Sequence, residues 1–204
     1  MTRKVTIEEL AAEPRWSEDR IRGLAGRVRG NALRSWGLHV ARHWGPRAPD
    51  LVRSRLGLGA DALPDVPTKR HWLPVWAQIK LAHVIVDEWL DGDILAFEKV
   101  FGETAGTGDK VIRWVAAKLG PTAVLKRADS YHESVCDVGK CLTTANATSA
   151  RLDFRGADVF GNPTWRILNM MGMSTMFDFM KRDMGVLVGY DEGPRDFVIE
   201  MAWK

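Results

Sequence analysis

Apolar positions recur mainly at intervals of three and four up to about residue 128, and from about Ser130 the texture becomes β-branched with alternation at two. A helical portion therefore precedes a strand-rich one. Thr6 and Glu9 have the spacing of a capping box before one weak helical turn that stops at Pro14, so residues 1–16 read as a short arm. Ser17, Glu18 and Asp19 start a helix whose apolar positions Ile21, Leu24, Val28, Leu33, Trp36 and Val40 run to Gly45 and Pro46, although Gly23, Gly26, Gly30 and Gly37 weaken it. A second short helix covers Asp50 to Leu56, followed by a loop at 57–67. Thr68 to Leu90 reads as a long buried helix on the repeat Val75, Ile79, Ala82, Val86, Trp89. Asp91 or Asp93 caps the next helix, with Ile94, Leu95, Phe97 and Phe101 inward, and a loop spans Gly102 to Gly108. Val111, Ile112, Val115, Ala116 and Leu119 make a further helix to Gly120 and Pro121, and 122–128 add a turn or two.

Strands are predicted at Glu133–Thr144 and Ser149–Gly156 across the turn Ala145-Asn146-Ala147-Thr148, with Leu152 and Phe154 on one face. Asn162 with Pro163 starts a helix to about Asp183 that stops at Gly185. A last hairpin joins Val186–Tyr190 to Asp196–Trp203, where Phe197, Ile199 and Met201 alternate with Val198, Glu200 and Ala202. The fold class is α+β: an N-terminal helical bundle packed on a C-terminal ββαββ four-stranded antiparallel sheet. The organisation is an arm at 1–16 and a single domain at 17–204, helical over 17–128 and ββαββ over 130–204.

Composition changes this picture little. With 204 residues, 46% apolar and 27% charged, the chain suffices for one buried core. Lys80, His83 and Asp87 interrupt its most apolar stretch, so no membrane span is expected. The start lacks the apolar core of a signal peptide, and two cysteines make no disulfide framework, so the cytoplasm is the expected location. Charge is uneven: residues 21–57 hold eight arginines against the single acid Asp50. Arg22, Arg27, Arg29 and Arg34 could meet an anionic surface or a nucleic acid, the less favoured partner, or could be a solvated face whose stems cover apolar neighbours.

Several side-chain groups could carry chemistry. His39 and His43, one helical turn apart, have the spacing of two metal ligands, but no third is evident and Val40 stands where a zinc protease needs Glu. Cys136 and Cys141 would point to opposite faces of a continuous strand, so a shared metal or disulfide requires a turn at Asp137 to Lys140. Lys80, His83 and Asp87 form a polar stripe that faces either a pocket or solvent. Residues 102–110 lack the Gly-Lys-Ser/Thr ending of a phosphate loop. Met170, Met171, Met173, Met176, Met180 and Met184 crowd the last helix, with 173, 176, 180 and 184 along one face; flexible thioethers suit an irregular apolar partner, and also serve as core filler. No acid, base and nucleophile set can be assembled, so an enzyme ranks last.

The elements Arg22-Gly23-Leu24 to Trp36, Asp93 to Phe101-Gly102, Val111 to Gly120, and the ββαββ unit closing on Phe197-Val198-Ile199-Glu200-Met201-Ala202-Trp203 together resemble an uncharacterised family of about this length expanded in myxobacteria. The helical start and ββαββ finish are distantly similar to the superfamily of haem nitric-oxide-binding domains, 4-vinyl-reductase-type domains and vesicle-tethering TRAPP subunits. That resemblance implies a helix packed on the sheet, with a pocket between sheet and helices for haem, a small organic ligand or a lipid chain. The haem branch carries a Tyr, Ser and Arg motif; neither Tyr131 nor Tyr190 is followed by it, so haem is not expected. The expected function is a noncatalytic signalling sensor or adaptor that binds a small apolar ligand or protein partner through Met173, Met176, Met180, Met184, Trp165, Trp76, His83 and Phe154. A dimeric scaffold and an anion binder are the alternatives.

Overall fold

The computed structural model describes residues 2–58, 71–98 and 110–204, without the side chains of residues 31, 32, 34, 35, 37, 38 and 110–117. Along those residues the elements are β1 (Arg3–Val5), α1 (Ile7–Ala11), α2 (Glu18–Arg22), β2 (Arg27–Arg29), α3 (Asn31–Trp44), α4 (Ala48–Leu56), β3 (Trp72–Pro74), α5 (Trp76–Trp89), α6 (Lys110–Leu125), α7 (Ala128–Val135), β4 (Lys140–Ala145), β5 (Ser149–Arg155), α8 (Pro163–Met180), β6 (Met184–Gly193) and β7 (Asp196–Trp203). The α+β layout is the one the periodicity predicts. Strands β4 to β7 form the predicted antiparallel ββαββ sheet, and β1 joins it as a fifth strand, in the order β1-β6-β7-β5-β4.

The arm is thus part of the sheet. Arg3, Lys4 and Val5 pair with Asp191, Tyr190 and Gly189. Val5 buries on the inner face, and the predicted capping box of Thr6 and Glu9 then turns the chain into α1, which packs Leu10 into the core against α8.

Three predicted elements break where local stereochemistry overrides periodicity. The helix expected from Ser17 to Gly45 is divided into α2, β2 and α3, because Gly26 takes φ +105°, a conformation open to glycine and costly for other residues. A Cβ there would also lie 2.4 Å from Val138 Cβ. The freed segment Arg27–Arg29 pairs with Trp72–Pro74, so the helix expected over Thr68 to Leu90, whose residues 68–70 lie outside the described residues, is a strand at Trp72–Pro74 and α5 begins only after Pro74. The strand expected from Glu133 is helical as far as Val135; Cys136 caps α7, and the turn at 137–139 separates it from β4.

The remaining correspondences are closer. Asn146 accepts from the backbone N–H groups of Thr148 (2.9 Å) and Ser149 (2.8 Å), which makes the predicted β4–β5 turn. Asn162 caps α8 through Trp165 N (2.9 Å), with Pro163 in the first turn. The helix ends at Lys181, so Met184 belongs to β6 and not to the helix. Ile94 and Phe97 bury as expected, while Leu95 is exposed. The loop predicted at 102–108 and most of that at 57–67 lie outside the described residues.

One apolar cluster runs through both halves, from Ile21, Leu33 and Val52 by way of Ile79 and Ile85 to Phe160, Phe177 and Ile199. Helix α8 lies at its middle, bearing on the sheet and touched by α1, α5 and α6. That position explains why it lacks a polar face: Pro163 to Ile167, Met170, Met171, Thr175, Phe177 and Met180 are all buried. Among the described residues no helix is long and apolar enough to cross a membrane.

Candidate functional site around the buried helix

The residues at the start of α8 meet both layers. Trp165 lies edge-on to Phe154 of β5 at 5.0 Å and tilted against Phe160 at 4.8 Å, and His132 of α7 stands 5.9 Å from both Phe154 and Phe160. These rings pack on one another between sheet and helix at this end. One residue back, Thr164 Oγ1 lies 2.8 Å from His83 Nε2, so the polar stripe of α5 turns its middle member onto α8. Its outer members are ion-paired, Lys80 with Glu18 and Asp87 with Arg15 at 2.6 Å. Burial, helped by the charge of Arg15, pulls the His83 imidazole down to about 4, so it is neutral at ordinary pH.

A residue that spacing arguments passed over holds this end together. Arg166 is 2% exposed; its Nε donates to Phe160 O at 2.7 Å, and Nη2 reaches Asp191 Oδ1 and Gly193 O at 3.1 Å each. Its guanidinium sits 4.8 Å from the Phe197 ring centre. Asp191 also pairs with Arg3 at 3.7 Å, so one buried cation ties α8, the β6–β7 hairpin and the edge strand. The only sequence signal was an arginine amid apolar positions.

The methionine face is divided by the fold. Met180 is buried, Met173 and Met176 are half-buried against the core, and Met184 pairs with Trp203 in the sheet. Trp76 lies on the first turn of α5 with the Arg22 guanidinium 4.7 Å from its ring centre. The structure brings Trp165 and Phe154 together and places His83 beside Thr164.

The arginines are held in local contacts. Arg22 pairs with Glu18 at 2.6 Å, Arg27 pairs with Asp137 at 2.6 Å, and Arg29 lies 4.0 Å from the Trp72 ring centre and donates to Ser134 O at 3.3 Å. The side chain of Arg34 is outside the described set. His39 is buried and stacked on His43 at 4.2 Å. Among the described residues no group of three or more His, Cys, Asp or Glu could hold a metal. Both cysteines are free thiols, and burial pushes them up, Cys141 to about 11.

No family model matches this chain, and no curated protein matches it by sequence. Solved structures do match. A variant of the Tt H-NOX domain superposes with TM-score 0.62 at 10% identity, over 87% of this chain and 95% of that one. An oxygen-binding H-NOX domain related to soluble guanylate cyclases gives 0.59 at 10% identity over the same shares. The Fe(II) unliganded H-NOX protein from K. algicida gives 0.58 at 11%, over 87% and 97%. The fold is that of H-NOX domains. The likeness spans nearly the whole of both chains, and it bears out the distant similarity that the helical start and ββαββ finish suggest.

A haem needs an axial side chain aimed at an open face. His83 Nε2 is engaged by Thr164 and His132 Nε2 by Val138 O at 3.2 Å, while His39 and His43 stack on each other. His71, the remaining histidine, is exposed. As placed, His83 and His132 do not offer Nε2 to a haem.

Proposed function

We propose that this chain is a noncatalytic sensor or adaptor domain that takes a small apolar ligand, other than haem, against α8 between the sheet and the helices. The whole-domain likeness to H-NOX structures, one of them an oxygen-binding H-NOX domain, carries this reading. Half-buried Met173 and Met176 support it, because thioethers adapt to an irregular apolar surface and already pack on the core. Trp165 and Phe154 form the rigid wall of the same layer, and His83, neutral and bonded to Thr164, supplies a polar handle. The scaffold alternative uses the same methionine surface for a second subunit, and the anion-binding alternative uses the arginines from Arg22 to Arg34.

Native mass spectrometry of freshly purified protein, with its visible spectrum, tests the reading. Expected is a monomer carrying bound mass, or one that acquires it from a fatty-acid mixture, with no Soret band. Met173→Lys with Met176→Lys should abolish that uptake. A dimer without added mass would support the scaffold, and a bare monomer that takes up no fatty acid would refute ligand binding.

A further inference from the structure

Strand β6 is ten residues long, yet β1 pairs with it only at Gly189, Tyr190 and Asp191. The chain leaves the sheet after Val5, so among the described residues no strand pairs with the outer edge of β6 from Met184 to Val188. The middle of that edge is open to solvent: Gly185 is exposed and Val186 is 50% exposed, while Met184 and Leu187 are half-buried and Val188 is buried. Open edges are usually blunted by charge, by proline, by shortness or by a bulge; the only such device on this stretch is a register shift against β7 between Met184 and Val186. Here the strand carries Met, Gly, Val, Leu and Val, with no charge or proline across five residues. The neighbouring rows do not shield Val186 either. It shares a row with Ala202 and Ser149, where the outer sheet face opens into a groove of about 480 Å3 bounded by Thr144, Arg151 and Glu200.

Exposed basic side chains stand at both ends of this edge. Lys181 and Arg182 stand exposed just before Met184, and Lys204, exposed, is held beside Asp183 by a backbone bond of 3.2 Å. At the far end, Lys4 is exposed opposite Tyr190. A second copy pairing antiparallel through Val186 would bring Arg182 of each chain toward Lys4 of the other, which repulsion opposes. An extended peptide with acidic ends meets no such penalty.

We infer that Met184–Val188 is a docking edge for an extended, acidic-ended segment of a partner protein, which adds as a strand in line with β1. Main-chain bonds supply affinity, an apolar residue covers Val186, and carboxylates meet Lys4 at one end and Lys181, Arg182 and Lys204 at the other. The inference is independent of ligand binding at α8.

The test uses the full chain and a fluorescent probe peptide, acetyl-Asp-Glu-Val-Thr-Val-Thr-Val-Asp-Glu, read by anisotropy. Expected is saturable binding that weakens at least tenfold in the exposed double variant Lys181→Glu, Arg182→Glu, with an unchanged melting temperature. Two further probes are N-methylated on alternate residues, one set along each edge. Only one of them should lose binding, because an added strand turns a single edge to β6. Amide exchange at residues 184–188 should slow with the probe bound. No binding at millimolar probe, equal tolerance of both methylated probes, or indifference to the charge reversal would overturn the inference. So would a dimer in size exclusion that Val186→Lys disperses, because the edge would then belong to a second copy.

Discussion

Arg166 shows how one side chain binds three elements. Its removal strands carbonyl oxygens of Phe160 and Gly193 and the Asp191 carboxylate at the hairpin. Arg166→Met should cost roughly 3–5 kcal/mol in urea unfolding, the range for breaking one side of a buried pair. Arg166→Lys, which keeps charge but loses the planar fork, should restore only part. His83 sets a pH dependence instead. Its folded value near 4 lies below the ordinary 6.5, so between those pH values the unfolded chain binds a proton that the folded one refuses. Stability should therefore fall as pH drops from about 6.5 toward 4, by on the order of 1–2 kcal/mol given that the ring is only partly buried. His83→Gln should flatten that part of the profile, measured as urea midpoint against pH.

At the scale of elements, glycine and proline decide what periodicity leaves open. The apolar repeat from Ile21 to Val40 does fit one helix, and α2 and α3 both bury their expected residues Ile21, Leu33 and Val40. Gly26 nevertheless divides them and delivers Arg27–Arg29 to Trp72–Pro74, with Arg27 O accepting from Asp137 N at 3.0 Å. Gly26→Ala should lose about 1–3 kcal/mol from backbone strain and a similar amount from overlap with Val138. Adding Val138→Ala should recover the overlap share and not the backbone share, which thermal melts of the two variants would separate.

Across the whole molecule, local signals and long-range ones divide cleanly. The Asn162 cap with Pro163, the Asn146 turn, the Thr6–Glu9 box and the alternation of Leu152 with Phe154 act within a few residues, so the ββαββ layout and the α+β class were legible in the chain alone. Pairing partners were not. That Val5 would extend the sheet depends on Gly189, which leaves room for it: a Cβ there would come within 3.0 Å of Val5 Cγ2. The site divides the same way. Periodicity gathered methionines on one helix and put His83 on a stripe, yet only packing placed Thr164 against His83, moved Met184 into a strand and buried Arg166 under the hairpin. Sequence by itself determined which segments could be helix or strand, because hydrogen bonding within a turn and side-chain alternation are local. Tertiary structure alone decided which of those segments touch, because contacts between residues far apart in the chain form only when the common core closes.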